Sequence, residues 1–378
     1  MNIAIISPWA ISETSVGGTE RFTIDLATQL LALGNSVEVF VLSGKSCHIQ
    51  GINYTSLDVL GNGKIADEYD LQKLANENMG KSFYAKWASC LEVNIDSNKF
   101  DVIQLNSLLF IDAWPNKPRI FTIHTNPFEY QLDWGHERLD YVSRKIRKAL
   151  PDKTLLTAPS EHYSRYFSKM FHRDVLTVPH AIDISRLNST SATNRQSTAE
   201  HGITILLPSR LEPVQKRPRV VFCGVALLPE HLRKQITVVA GGKDPQYLDN
   251  CTKLERIAER NGFKAQFARF PSMVEAYAQA DIVALPSKSE SFGYSALESL
   301  ALGIPTILNS LPTFKEIGAG NNNAYFFDQT AHAFSRTLLN LLGDLRSYPI
   351  NESWSIRYDI QRWGKAYQKL ARSVVGHE

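Results

Sequence analysis

Charge of one sign is scarce in this chain: 41 Lys and Arg stand against 38 Asp and Glu, a formal excess of only +3. So small an excess does not point to nucleic acid, though it leaves room for an anionic substrate or a local membrane contact. Cysteine is scarce too. Cys47, Cys90, Cys223 and Cys251 are scattered with no CxxC spacing, which argues against a zinc or redox centre and for reduced structural thiols in a cytosolic protein. No stretch approaches the roughly 20 apolar residues that span a bilayer. The N-terminus lacks a basic n-region, and its apolar run Ile3-Ala4-Ile5-Ile6 stops at Ser7-Pro8, so it does not read as a signal peptide. The expected location is the cytoplasm, at most on a membrane face. The GxGxxG fingerprint is missing as well, so a dehydrogenase reading fails.

What remains is ordinary for a globular protein. Apolar residues make up 43% and charged residues 21% of 378, which argues against disorder and allows two independent cores. Short β-rich apolar runs alternate with amphipathic segments. Residues 2–7 read as a buried strand, 20–33 as a helix with Phe22, Leu26, Leu30 and Leu33 at helical spacing, and 37–41 as the next strand after Gly34. That is a βαβ unit with parallel strands. Further strands are expected at 101–105, 119–123, 154–158 and 175–178, with a long helical stretch over 67–95.

Residues 185–202 are rich in Ser, Thr, Asn and Gln and have linker composition. Strand signals then restart near 203–208, 235–240, 264–268, 281–285 and 305–308. The reading is α/β, with two doubly wound domains: 1–184, then a linker over 185–202, then 203–351, with 352–378 a terminal helix crossing back to the first domain; a long loop within one large domain is the alternative. Two such domains facing each other would leave a cleft at the carboxyl ends of their strands.

The strongest motif runs from Leu285 to Pro305, LPSKSESFGYSALESLALGIP. A strand ends in a loop, and a helix is expected from Ser291 or Phe292. The unpaired amides at its start suit a diphosphate, and Gly293 lets the backbone approach closely. Glu298 would lie two turns in, on the order of 9 Å from the start. Glu290 precedes it in the loop. Carboxylates so placed can accept from hydroxyls at opposite ends of one elongated ligand, or can simply be solvated groups on a capped surface helix. They do not resemble the close pair of a glycosidase.

The whole string resembles the E-x7-E signature of the retaining family-four glycosyltransferases (GT4), which have the GT-B fold of two Rossmann-like domains facing a cleft. The resemblance implies that Glu290 contacts donor-sugar hydroxyls, that the amides of Ser291, Phe292 and Gly293 bind the diphosphate, and that Glu298 holds the ribose. Ser291 stands where the family usually has Gly, and Ser295 where Pro is common. Leu206 to Lys216 is similar to the family's strand followed by G-R-L-x-x-x-K-G, which makes Arg210 and Lys216 the cations that neutralise the leaving diphosphate. Arg217-Pro218 replaces the family's Gly there. Gly241, in Val238-Val239-Ala240-Gly241-Gly242, resembles the tight turn near the nucleotide. Phe270 falls where the family's chain passes the nucleobase, and is equally compatible with a core role.

In the first half, Gly17-Gly18 before Glu20 looks like the family's G-G-x-E near donor phosphate and acceptor; a plain strand–helix turn is the alternative. His124, at the end of the strand Ile120–Ile123, is similar to the family's T-x-H, which implies contact with donor sugar and reacting centre. Ser160 matches a family Ser. His180-Ala181 replaces Asn-Gly. The basic amphipathic segment 137–150, with Arg138, Arg144, Lys145, Arg147 and Lys148, fits either an ordinary surface helix or peripheral contact with the cytoplasmic membrane face.

The implied activity is transfer of a hexosyl group from a nucleotide sugar to a glycan or lipid-linked acceptor, with retention, in polysaccharide or glycoconjugate biosynthesis. No cofactor and no metal are expected, since no DxD-type motif stands near these residues, and no nucleic-acid partner. The alternatives are a GT-B epimerase or phosphorylase and a non-catalytic sugar-nucleotide-binding protein.

Overall fold

The computed structural model describes residues 1–9, 11, 17–59, 81–124, 143–148, 150, 153–185, 187, 202–241, 247–268, 273–346, 348–349 and 352–376. The chain forms two units, one of Met1–His180 with Ile360–Glu378 and one of Ala181–Asp359.

The first unit is built on an eight-stranded sheet, β1 (Asn2–Ser7), β2 (Ser36–Val41), β3 (Cys47–Ile49), β4 (Ile52–Ser56), β5 (Val102–Leu105), β6 (Arg119–Thr122), β7 (Thr154–Ala158) and β8 (Val175–Thr177). Its order is β3-β4-β2-β1-β5-β6-β7-β8, parallel throughout except for the β3–β4 pair. Strand β1 is buried along its apolar run because helices cover a parallel sheet on both faces. Helix α1 (Gly18–Ala32) joins β1 to β2, buries Phe22, Leu26 and Leu30 on one stripe, and is followed by Gly34 at φ 80°. Helix α2 (Lys81–Asn94) buries Tyr84, Trp87, Ala88 and Leu91 at the same periodicity. The portion 67–80 of the expected helix lies outside the described residues. Helix α3 (Glu161–Phe171) is capped by Ser160, whose Oγ accepts from the Tyr163 amide at 3.3 Å. That cap is the role the structure gives this serine.

The second unit has six parallel strands, β9 (Ile203–Leu207), β10 (Ile236–Gly241), β11 (Lys264–Ala268), β12 (Ile282–Leu285), β13 (Thr306–Asn309) and β14 (Ala324–Phe327). Their order, β11-β10-β9-β12-β13-β14, is the doubly wound one. Its helices are α4 (Pro218–Ala226), α5 (Leu248–Asn261), α6 (Met273–Ala278), α7 (Tyr294–Ala301), α8 (Pro312–Gly318), α9 (Ala331–Gly343) and α10 (Glu352–Arg357). Alternate residues of each strand feed separate cores: Ile205, Leu207, Val238 and Ala240 pack in one, Leu206, Val239, Val283 and Leu285 in the other. Both faces are therefore covered, which is why these strands read as continuous apolar runs.

The chain then returns to the first unit as α11 (Ile360–Val375). This helix lies on α1 at Gly364, where a Cβ would come within 2.7 Å of Gln29 Cβ. The expected single helix over 352–375 is thus two, broken at Tyr358-Asp359, where Asp359 bridges to Ile182. Strands β3, β4 and β14 are additions to the expected set. The first two form a short hairpin turned by Gln50 and Gly51, both at positive φ. Strand β14 is an edge strand whose Tyr325 and Phe326 are not fully buried, so it shows no buried period.

Candidate functional site

In the second unit the strand order reverses between β9 and β12, which are hydrogen-bonded neighbours although they lie far apart in sequence. Ligands of open parallel sheets bind beyond the carboxyl ends of the strands at such a reversal. The two loops that leave these strands carry Arg210 to Arg217 and Pro286 to Gly293.

The first loop is shaped by Glu212. Its carboxylate accepts from the amides of Val214 at 2.8 Å, Gln215, and Lys216 at 3.2 Å, and its carbonyl accepts from Arg217 N at 3.2 Å. The turn ends in Arg217 at φ 50°, directly before Pro218, the first residue of α4. A left-handed residue there accounts for the glycine usual in the family, and Arg217 carries the strain while donating to Gln329 O at 2.9 Å. The second loop is tied to the first by Lys288 N donating to Gln215 O at 2.7 Å and Gln215 Nε2 to Ser289 O at 3.3 Å.

Between the loops, Lys216 Nζ pairs with Glu290 Oε1 at 2.5 Å, both side chains largely covered. Ser287 Oγ donates to the same Glu290 oxygen at 2.8 Å, and Thr313 Oγ1 donates to Glu290 O at 2.8 Å. Ser287 is itself fully buried, with its carbonyl held by Asn309 Nδ2 at 2.8 Å. Arg210 is exposed and forms no ion pair among the described residues. Gly241, at the end of β10, lies beside the Ser209 carbonyl, where a Cβ would make an ordinary 3.5 Å contact, so its size is not demanded there. Gly242 and Phe270 lie outside the described residues.

Helix α7 starts at Tyr294, not at Ser291 or Phe292. The reason is Gly293, whose φ of 105° cannot continue a helix backwards, and whose missing Cβ would come 2.6 Å from Phe314 Cε1. Ala296 and Leu297 donate to Gly293 O, leaving the amides ahead of them outside the helix's own bonding. Glu298 is consequently the fifth helical residue, roughly 6 Å along the axis from Tyr294. It is 5% exposed, and Tyr277 Oη donates to its Oε2 at 2.9 Å. The Phe292 side chain is buried in the core against Tyr294 and Tyr358, so a donor role at this position falls to its backbone. Ser291 is partly exposed.

The first unit has a second cluster, at the end of β6. Phe22 of α1 lies edge-on to His124 at 4.4 Å and tilted against His180 at 4.9 Å, and the two imidazole centroids are 5.4 Å apart. Trp363 and Tyr367 of α11 pack on the other sides of Phe22. Burial pushes the His124 imidazole down to about 3, and pushes His180 well below its ordinary value, with the charge of His124 adding to the effect. Both rings are therefore neutral at physiological pH. His124 Nε2 has no hydrogen-bond partner among the described residues. Beneath this cluster runs a buried polar chain. Tyr367 Oη meets Thr122 Oγ1 at 3.3 Å, Gln104 Nε2 donates to Thr122 Oγ1 at 2.8 Å and Asn106 Oδ1 at 2.9 Å, and Asn106 Nδ2 donates to Thr23 Oγ1 at 2.9 Å. Gly17 caps α1 and Gly18 begins it.

Of the basic residues at 137–150, Lys145 pairs with Asp112 at 2.8 Å and Arg147 donates to Met170 O at 2.9 Å. Both contacts are compatible with an ordinary surface helix. Arg138 lies outside the described residues. Among the described residues no group of three or more His, Cys, Asp or Glu side chains could hold a metal ion, and no helix is long and apolar enough to cross a membrane.

Residues 16–186 match the family described as Glycosyltransferase Family 4, and residues 190–353 match Glycosyl transferases group 1. The chain belongs to glycosyltransferase family 4. This family-4 chain is 30% identical over 147 residues to the D-inositol 3-phosphate glycosyltransferase of Geodermatophilus obscurus, a match covering 36% of the chain and 32% of that relative. The chain thus spans about a third of the length of the curated relative it matches. Its fold is that of sucrose-phosphate synthase from Thermosynechococcus elongatus, with a TM-score of 0.74, 16% identity and 100% of each chain covered. It is also that of Anabaena HepE in complex with UDP and glucose, with a TM-score of 0.73, 16% identity and 98% and 99% of the two chains covered. The family-4 chain therefore has the GT-B fold, with two parallel-sheet α/β units.

Ser287, Glu212, Gln215 and Tyr277 contact the motif residues and were passed over by motif reading. Ser287 stands three residues ahead of Glu290, a spacing that could have suggested their hydrogen bond. Tyr277 left no local signal.

Proposed function

We propose that this chain transfers a glycosyl group from a nucleoside-diphosphate sugar to a hydroxyl acceptor with retention at the anomeric carbon. The observation that carries the reading is the meeting of Lys216 and Glu290 at the β9/β12 reversal, ahead of the α7 N-terminus. A diphosphate needs cations and backbone donors. Lys216, the exposed Arg210 and the amides leading into α7 supply them. The sugar needs acceptors for its hydroxyls. Glu290 is such an acceptor, and its Oε1 is already aligned by Ser287 and Lys216. Glu298 would take the ribose.

Stabilising charge as it builds on the departing diphosphate is the main catalytic task of such a site, and fixed cations perform it without reorganisation. With Glu290 committed to Lys216 and Ser287, no carboxylate of this loop is placed as a free general base. That supports a front-face route in which the leaving phosphate takes the acceptor proton. His124, neutral and set in an aromatic wall, suits a hydrogen bond to a sugar hydroxyl rather than proton donation at neutral pH. The proposed acceptor is a glycan or lipid-linked sugar in polysaccharide or glycoconjugate assembly, and the proposed place of action is the cytoplasm.

A thermal-shift screen against UDP-, GDP- and ADP-sugars tests the reading, because a ligand of the native state raises its melting temperature. One nucleotide series should stabilise the wild type and fail to stabilise Glu298→Ala. If no series stabilises the wild type, the donor-site assignment is wrong. NMR of the product's anomeric proton decides retention, and activity that persists in EDTA is the expected outcome for a diphosphate balanced by protein cations.

A further inference from the structure

The two glutamates of the motif are each met by a named side chain. Glu290 is ion-paired, whereas Glu298 is buried and meets a neutral donor, the phenol of Tyr277, at 2.9 Å. Tyr277 lies on α6, which begins at Met273, immediately after the 269–272 segment, and its ring is fully buried among core side chains. The same hydroxyl lies 3.4 Å from Ser295 O, one turn before Glu298 on α7.

A buried carboxylate is costly unless hydrogen bonds satisfy it, and its rotamer is set by the donor that does so. A phenol donates a single directional hydrogen bond to one carboxylate oxygen, here Oε2, and so orients the group. We infer that Tyr277 is a positioning residue that holds Glu298 in the orientation in which it accepts from the ribose hydroxyls of the donor nucleotide. This rests on the donor-site reading above. Tyr277 itself touches no substrate; it acts through Glu298.

The test compares Kd values of UDP, GDP and ADP with those of their 2′-deoxy and 3′-deoxy forms, by calorimetry, using whichever base binds the full-length wild type. Loss of a hydroxyl bonded to a carboxylate should weaken wild-type binding roughly tenfold or more. Tyr277→Phe removes only the phenol oxygen and should shrink that ribo-to-deoxy ratio to roughly twofold, while the circular dichroism spectrum stays native. Glu298→Ala should abolish the ratio. Tyr277→Phe added to Glu298→Ala should then change neither ratio nor affinity, because its route of action is gone. This pair keeps the inference open to refutation even where Tyr277→Phe alone fails to fold.

A ratio unchanged in Tyr277→Phe but lost in Glu298→Ala overturns the inference and leaves the donor site standing. A further loss of affinity in the double variant beyond Glu298→Ala also overturns it, since Tyr277 would then act as plain packing. A ratio that survives Glu298→Ala, or no binding of any nucleoside diphosphate by the wild type, overturns the donor-site reading and the inference with it.

Discussion

Lys216 Nζ and Glu290 Oε1 lie 2.5 Å apart across 74 residues of sequence, and the pair joins the loop after β9 to the loop after β12. The pair fixes the two groups relative to each other. Lys216→Ala and Glu290→Ala should each lower kcat/KM by about 10²- to 10³-fold, the range for removing one charge-stabilising group. The stability cost should be only about 1–3 kcal/mol, because part of each side chain reaches solvent and, in Lys216→Ala, Ser287 still donates to Glu290. Steady-state kinetics beside a urea titration checks both. Turnover unchanged in both variants would remove this pair from the site.

Gly293 is required twice over. Its φ of 105° is strained for any other residue, and a Cβ would collide with Phe314, which is fully buried. Gly293→Ala should destabilise the protein by about 2–4 kcal/mol, combining backbone strain with overpacking. Adding Phe314→Leu should recover the steric part alone, so denaturant midpoints of the single and double variants separate the two causes.

Burial of His124 and His180 makes stability depend on pH. The unfolded chain protonates these imidazoles near pH 6.5, while the folded chain keeps His124 neutral down to about 3 and His180 neutral well below 6.5. Below about pH 6.5 the unfolded state thus binds more protons, and stability falls as pH falls; above it this contribution is fully present. His180→Asn should lower the acid-side slope by at most about one proton per molecule. Urea unfolding at a series of pH values measures the slope, and an unaltered slope in the variant would show that His180 titrates normally.

Arg119 is fully buried at the start of β6, donating to the carbonyls of Ile111 and Ala113 and to Thr154 Oγ1, with its guanidinium over the Phe121 ring. Burial lowers it to about 10, opposed by Asp112, so it stays charged at neutral pH. Arg119→Ala should cost about 2–5 kcal/mol, since two buried carbonyls lose their donor. Arg119→Lys should recover only part, because an ammonium cannot reproduce the fork. Denaturant midpoints of the two variants check this ordering.

The motif string was legible because it is contiguous: Glu290, Gly293 and Glu298 occupy the loop and helix that the apolar pattern on either side implied. The start of α7 was misplaced because periodicity cannot distinguish Phe292, buried before the helix, from a first-turn residue on its buried face. The reversal at Gly293 is a property of one dihedral angle. The burial of the Phe292 side chain is compatible with the amide role that the motif resemblance implies for it.

Local chemistry in the sequence sufficed for the alternation of strands and helices, the family, and the residue types at the strand ends. Burial on both faces makes parallel strands uniformly apolar, and glycine and acid–base spacing survive in a linear string. Which strands are neighbours was decided only in three dimensions. The apolar pattern of β9 states that it is buried, not that β12 rather than β13 lies beside it, and that choice brings Lys216 to Glu290. Tyr277 shows the same limit more sharply. Its phenol reaches Glu298 across 21 residues and two helices, a relationship set by how α6 and α7 pack. Of the two glutamates of the motif, the one with a lysine in a neighbouring motif could be paired by reading; the one held by a core tyrosine could not.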